Sequence, residues 1–114
     1  MTEKPNILVV CGRNKRRSRT AEYIFKNDMR LNIRSVGLSP RSERQLKETD
    51  LSWADLVYVM DNGQRARIKE TYRYLPLPAM EVLFIEDEFE YLDPELIEML
   101  TDKINASLEV VYGI

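Results

Sequence analysis

The chain has no histidine. That removes the commonest general base and the commonest metal ligand together. A zinc centre or a Cys-His hydrolase does not fit such a sequence, and no metal and no cofactor are expected. Cysteine is nearly absent too: Cys11 is the only one, which excludes an internal disulfide framework. No apolar run approaches the ~20 residues that span a bilayer, and no signal-peptide pattern stands at the start. A cytoplasmic protein without a membrane partner is therefore expected. Repeats, linkers and low-complexity stretches are missing as well, so the 114 residues read as one small domain over 1–114.

Charge is plentiful but unevenly placed. The net value is −2, yet residues 1–50 carry 12 Lys/Arg against 6 Asp/Glu and residues 51–114 carry 5 against 13. Five of the cations, Arg13, Lys15, Arg16, Arg17 and Arg19, fall within seven residues. Such a division suggests a basic pocket facing an acidic flank.

Apolar patterning alternates between strand and helix. Residues 6–10 form a continuous apolar run, expected as a central parallel strand buried on both faces. Residues 18–30 place Ala21, Ile24, Phe25 and Met29 on one helical face. Ile33–Gly37 reads as a second strand, Gly37-Leu38-Ser39-Pro40 as a turn, and 41–50 as a short helix or loop. Residues 55–60 read as a third strand, 62–74 as a basic helix ended by Leu75-Pro76-Leu77-Pro78, and 81–85 as a fourth strand. Asp93-Pro94 opens a last helix, with Asp at the N-cap and Pro at the first helical position. Its expected apolar face is Leu96, Ile97, Leu100, Ile104, Leu108 and Val111. The alternation argues for an α/β domain with a parallel sheet, whose ligands bind beyond the carboxyl ends of the strands.

The basic cluster then becomes informative. Cys11 ends the first strand, and Arg17-Ser18 open the first helix six residues later. Backbone N–H groups of a short strand-to-helix loop, with the helix N-terminus behind them, hold anions, be it a phosphate dianion or a thiolate. Cations at a helix N-terminus oppose the helix dipole, so stability alone does not explain five of them. A bound phosphate or sulfate explains them well.

Cys11-x5-Arg17-Ser18 between a strand and a helix resembles the phosphate-binding signature of protein tyrosine phosphatases. Its position near the start and the internal Asn14 resemble the low-molecular-weight class. Three further segments match in order: Ile33-Arg34-Ser35-Val36-Gly37, Ala54–Asp61, and the acidic Ile85-Glu86-Asp87-Glu88-Phe89. Short bacterial proteins described as tyrosine phosphatases share the Cys-x-Arg-Asn loop, the Gly-Leu-Ser-Pro turn and the Asp-Pro-Glu-Leu helix start. The resemblance implies a three-layer fold with four parallel strands in the order 2-1-3-4. It also implies a phosphomonoester hydrolase, a protein tyrosine phosphatase acting through a phosphocysteine intermediate on phosphorylated proteins or small phosphomonoesters.

The residues take roles that suit this chemistry. Cys11 is the expected nucleophile, because a thiolate attacks phosphorus without needing a base. Arg17 is the expected fork on two phosphate oxygens, a geometry lysine does not reproduce. Gly12, Arg13, Asn14, Lys15, Arg16, Arg17 and Ser18 form the phosphate-binding loop, largely through backbone N–H groups. Ser18 donates to the Cys11 sulfur or caps the helix. Asn14 in a left-handed conformation ties the loop down, with Ser35 and Ser18 in support. Asp87 is the expected general acid, with Asp93 as its rival.

Relative to the family pattern, Arg13, Arg16 and Arg19 stand where a glycine, a second cysteine and a proline are usual. The tyrosine pair after the acid is reduced to Phe89 and Tyr91, and the segment from Gly37 to Trp53 is short. Three other readings remain: arsenate reduction with an external thiol, phosphoserine hydrolysis, and a non-catalytic phosphate or nucleic-acid binding module. The loop has no aromatic residue for base stacking, which disfavours nucleic acid.

Overall fold

A computed structural model describes residues 4–13 and 15–114. The apolar run at the start becomes strand β1, Asn6–Cys11, and the chain then alternates as the pattern predicts. Helix α1 is Arg17–Phe25, β2 Asn32–Gly37, α2 Glu48–Trp53 and β3 Leu56–Val59. Helix α3 is Asn62–Thr71, β4 Ala79–Val82 and α4 Pro94–Tyr112. The sheet has the order β2-β1-β3-β4 and all its pairs are parallel. This is the expected three-layer α/β architecture.

Successive residues of a strand point to opposite faces, and β1 supplies both cores. Ile7, Val9 and Cys11 belong to one cluster with Ala21 and Phe25 of α1 and Leu96, Leu100, Ile104 and Leu108 of α4. Leu8 and Val10 belong to the other, with Leu51 and Ile68 from α2 and α3. Cys11 therefore ends the central strand on the side covered by α1. The Tyr58 hydroxyl lies 2.8 Å from that of Ser107 and ties β3 to α4. Burial pushes the Tyr58 phenol up to about 12. At the other edge of the sheet, the Asn6 side-chain amide donates to the Trp53 carbonyl at 3.0 Å. The Arg34 guanidinium lies 4.0 Å from the centre of the Trp53 ring.

Several boundaries differ from the expectation. Helix α1 stops at Phe25, because Asp28 accepts from the Arg30 backbone and side chain and organises a turn instead. Met29 lies beyond the helix and is 78% exposed rather than on a buried face. On α4, Val111 is exposed and Met99 packs on the core in its place. Asp93 does cap α4, accepting from the Glu95 backbone N–H, and Gly113 ends the helix in a left-handed conformation at φ 69°. Strand β4 lies earlier than the expected 81–85. Phe84 takes a left-handed φ of 55°, which ends regular strand geometry. The backbone still follows β3, with Leu83 and Ile85 N–H groups donating to Val59 and Met60 carbonyls. Among the described residues no helix is long and apolar enough to cross a membrane.

Candidate active site

Cys11 and the following loop leave the sheet at the carboxyl end of β1, and α1 begins at Arg17. No acidic residue lies in the first turn of α1, so its N-terminus faces the loop without a neutralising carboxylate. The loop is braced from the side by the turn after β2. Leu38 N–H donates to the Cys11 carbonyl at 3.0 Å and Ser39 N–H to the Gly12 carbonyl at 2.7 Å. The Cys11 and Gly12 carbonyls are thus both engaged by the turn after β2. Gly12 has open space where a Cβ would stand.

Cys11, Arg17 and Asp87 meet in one cavity of about 400 Å³. It is lined by Cys11, Gly12, Arg13, Lys15, Arg16, Arg17, Ser39 and Asp87. Cys11 is buried and its sulfur is 2.9 Å from the Ser18 hydroxyl. Ser18 lies inside α1 rather than at its cap. Arg17 is only 6% exposed and donates from Nη1 to the Ile85 carbonyl at 2.7 Å. Its Nε is buried and has no hydrogen-bond acceptor among the described residues. The nearest carboxylate oxygen, Asp87 Oδ1, is 3.6 Å away, an ion pair but beyond hydrogen-bond reach. A buried guanidinium N–H left unbonded is costly unless an acceptor enters the cavity.

Asp87 follows β4 at a distance, on a non-regular segment that returns to α1. Arg17 holds this segment at Ile85, and the Thr20 hydroxyl accepts from the Leu92 N–H at 3.1 Å. Asp93 is occupied at the N-cap of α4 and does not line the cavity. The acidic flank comes close to the basic loop a second time, with Arg16 Nε 3.9 Å from Glu90. Arg19 turns away and pairs with Glu43 at 3.0 Å.

Two supporting residues stand differently. Ser35 is buried on β2, but its hydroxyl and N–H both donate to the Glu22 carboxylate, at 3.0 and 3.3 Å. The expected role of Asn14 lies outside the described residues. Sequence reasoning did not find Glu22, the Ile85 carbonyl or Ser39. Only the Gly37–Pro40 turn signal pointed near one of them. Among the described residues no group of three or more His, Cys, Asp or Glu could hold a metal ion.

No family model and no curated protein matches the chain by sequence. Solved structures do match by shape. YfkJ from Bacillus subtilis superposes with a TM-score of 0.71 at 19% identity, over 97% of this chain and 98% of that one. SP-PTP, a low molecular weight protein tyrosine phosphatase from Streptococcus pyogenes, gives 0.73 at 17%, over 94% and 93%. The YwlE arginine phosphatase from Geobacillus stearothermophilus gives 0.66 at 21%, over 93% and 94%. At such identities the likeness is one of fold, and this chain has the fold of the low-molecular-weight phosphatases over nearly its whole length.

Proposed function

We propose that the chain is a cysteine-dependent phosphomonoester hydrolase, a protein tyrosine phosphatase of the low-molecular-weight type. The observation that carries this reading is the pairing, in one cavity, of the Cys11 sulfur with a buried Arg17 whose Nε lacks a hydrogen-bond acceptor among the described residues. A phosphate seated over the loop supplies that acceptor and stands in front of the sulfur.

The reaction has two steps. The Cys11 thiolate attacks phosphorus while the phosphorus–oxygen ester bond breaks, and Asp87 gives its proton to the departing oxygen. Arg17 and the loop N–H groups hold the equatorial oxygens, most tightly as charge spreads over them in the transition state. Water then attacks the phosphocysteine, the Asp87 carboxylate takes its proton, and the phosphorus–sulfur bond breaks. Ser18, at 2.9 Å from the sulfur, donates to the departing thiolate. Asn14 supports the loop, and Ser35 ties β2 to α1 through Glu22. A lone thiol that must stay reduced suits a bacterial cytoplasm.

The test is steady-state hydrolysis of p-nitrophenyl phosphate with vanadate as inhibitor. Turnover that vanadate competes away supports the reading. An inactive protein that still binds phosphate would show a binding module instead.

A further inference from the structure

Among the described residues, the lining of the candidate active site carries four cations and one carboxylate. Its lining is Cys11, Gly12, Arg13, Lys15, Arg16, Arg17, Ser39 and Asp87, with no aromatic or aliphatic side chain among them. The two aromatic residues that follow the acid are turned elsewhere. Phe89 is buried in the core beneath α4. Tyr91 lines a neighbouring cleft, with the Arg19 guanidinium 5.3 Å from its ring centre. A substrate's leaving group therefore meets no ring to stack on.

What it does meet is asymmetric charge. Arg13 and Lys15 are exposed on the rim, and neither forms an ion pair among the described residues. Beyond Ser39 the chain runs through Arg41, Glu43 and Arg44, all exposed and outside the cavity lining, with Glu43 paired to Arg19. Arg41 is fastened there, its N–H donating to the Ser39 hydroxyl at 3.1 Å. The opposite wall carries Asp87, with Glu86, Glu88 and Glu90 exposed around it. Only Arg16 and Arg17 of the loop face a carboxylate on that wall. The remaining cations exceed what one phosphate dianion needs, since Arg17 and the loop N–H groups already suffice for it.

From this we infer that the preferred substrates carry further negative charge on the leaving-group side, placed over Arg13 and Lys15. The inference rests on the phosphatase reading and names the substrate class of that same site. The added charge comes from one of two sources: acidic residues flanking a phosphorylated side chain, or a second phosphate on a small molecule. Like charge on the acidic wall repels the same substrates in the reverse orientation, so the two walls together fix direction as well as affinity.

The experiment compares phosphotyrosine peptides of equal length flanked by Asp/Glu, by Ser/Gly or by Lys. A sugar bisphosphate and its matching monophosphate form a second arm. Specificity constants are measured with wild-type protein, and affinities with Cys11→Ser. We expect the acidic peptide, the bisphosphate or both to exceed the matched comparison by about tenfold at low salt. That advantage should shrink several-fold between about 0.02 and about 0.2 M salt. Arg13→Ala/Lys15→Ala should bring the ratio towards one. The arm that shows the advantage identifies the source. Ratios near one in both arms, with p-nitrophenyl phosphate still turned over, overturn the inference and leave the phosphatase reading standing. If nothing is turned over, that reading fails by itself, and the binding ratios alone decide the charge preference. Tighter binding of a 5′-phosphorylated oligonucleotide than of either acidic ligand also overturns it, in favour of a nucleic-acid end.

Discussion

The two halves of the candidate site are built in opposite ways. The Cys11–Ser18 half joins a central strand to a helix, and Cys11, Arg17 and Ser18 are all buried. The Asp87 half has no regular structure between β4 and α4, and the Asp87 side chain is 64% exposed. Near its ends stand Phe84 and Leu92, with φ of 55° and 63°. Yet this second half is not independent, because Arg17 and Thr20 of α1 hold it at Ile85 and Leu92. The difference teaches where each kind of precision is needed. The proposed in-line attack on phosphorus tolerates little displacement, and packed elements suit the sulfur and guanidinium to it. A proton donor must reach leaving groups of different shape, and a strap tied to the same helix allows that.

The largest break in the comparison should come from Cys11→Ser. With no histidine to activate the hydroxyl, turnover should fall below detection. The packed half should otherwise survive, so phosphate should still raise the melting temperature of the variant by mass action. A variant that keeps measurable turnover would remove Cys11 as nucleophile. Arg17→Lys strikes both halves at once, losing the phosphate fork and the bond to Ile85. We expect kcat to drop about 10²–10³-fold. Backbone amides of residues 84–92 should exchange hydrogen faster, read by mass spectrometry. Unchanged exchange there would show that α1 does not hold the strap.

Asp87→Asn should separate the halves. It should slow phenyl phosphate about tenfold more than p-nitrophenyl phosphate, because a good leaving group needs little protonation. Equal losses on both esters would exclude Asp87 as the acid and direct attention to Asp93. The smallest effect belongs to Phe84→Gly. Phe84 is 64% exposed and gains little from burial, while a left-handed φ is costly for any residue with a Cβ. Chemical denaturation should show a gain of about 0.5–1 kcal/mol. A loss of stability would mean that the exposed ring has a contact worth more than the strain.

The same contrast explains what could be read from the residues alone. The Cys11 loop was legible because its chemistry is contiguous in sequence and bracketed by a strong strand and a helix. The Asp93-Pro94 opening of α4 came from an equally local pattern, and the alternation of strands and helices from a regular one, whereas the strand order came only from the family resemblance. The fourth strand was misplaced because Val82-Leu83-Phe84-Ile85 reads as one apolar run. Nothing in those residue types announces that Phe84 turns left-handed. Met29 continues the helical period of α1, but the turn that Asp28 makes with Arg30 ends the helix first. Glu22 binding Ser35, and Arg17 binding the Ile85 carbonyl, depend on partners distant in the chain. In the second case the acceptor is backbone, so no side chain marks it.

Trp53 gives the molecule an optical asymmetry. It is the only tryptophan, and it is attached to Asn6, the first residue of the strand that Cys11 ends. Five residue steps of strand separate Asn6 from Cys11, on the order of 17 Å. The guanidinium of Arg34 lies over its ring, so its emission should shift when the domain unfolds and this contact is lost, and should change little when phosphate binds. A denaturation curve followed by tryptophan fluorescence can thus be recorded with a transparent oxyanion such as phosphate or sulfate present, to read its stabilising effect.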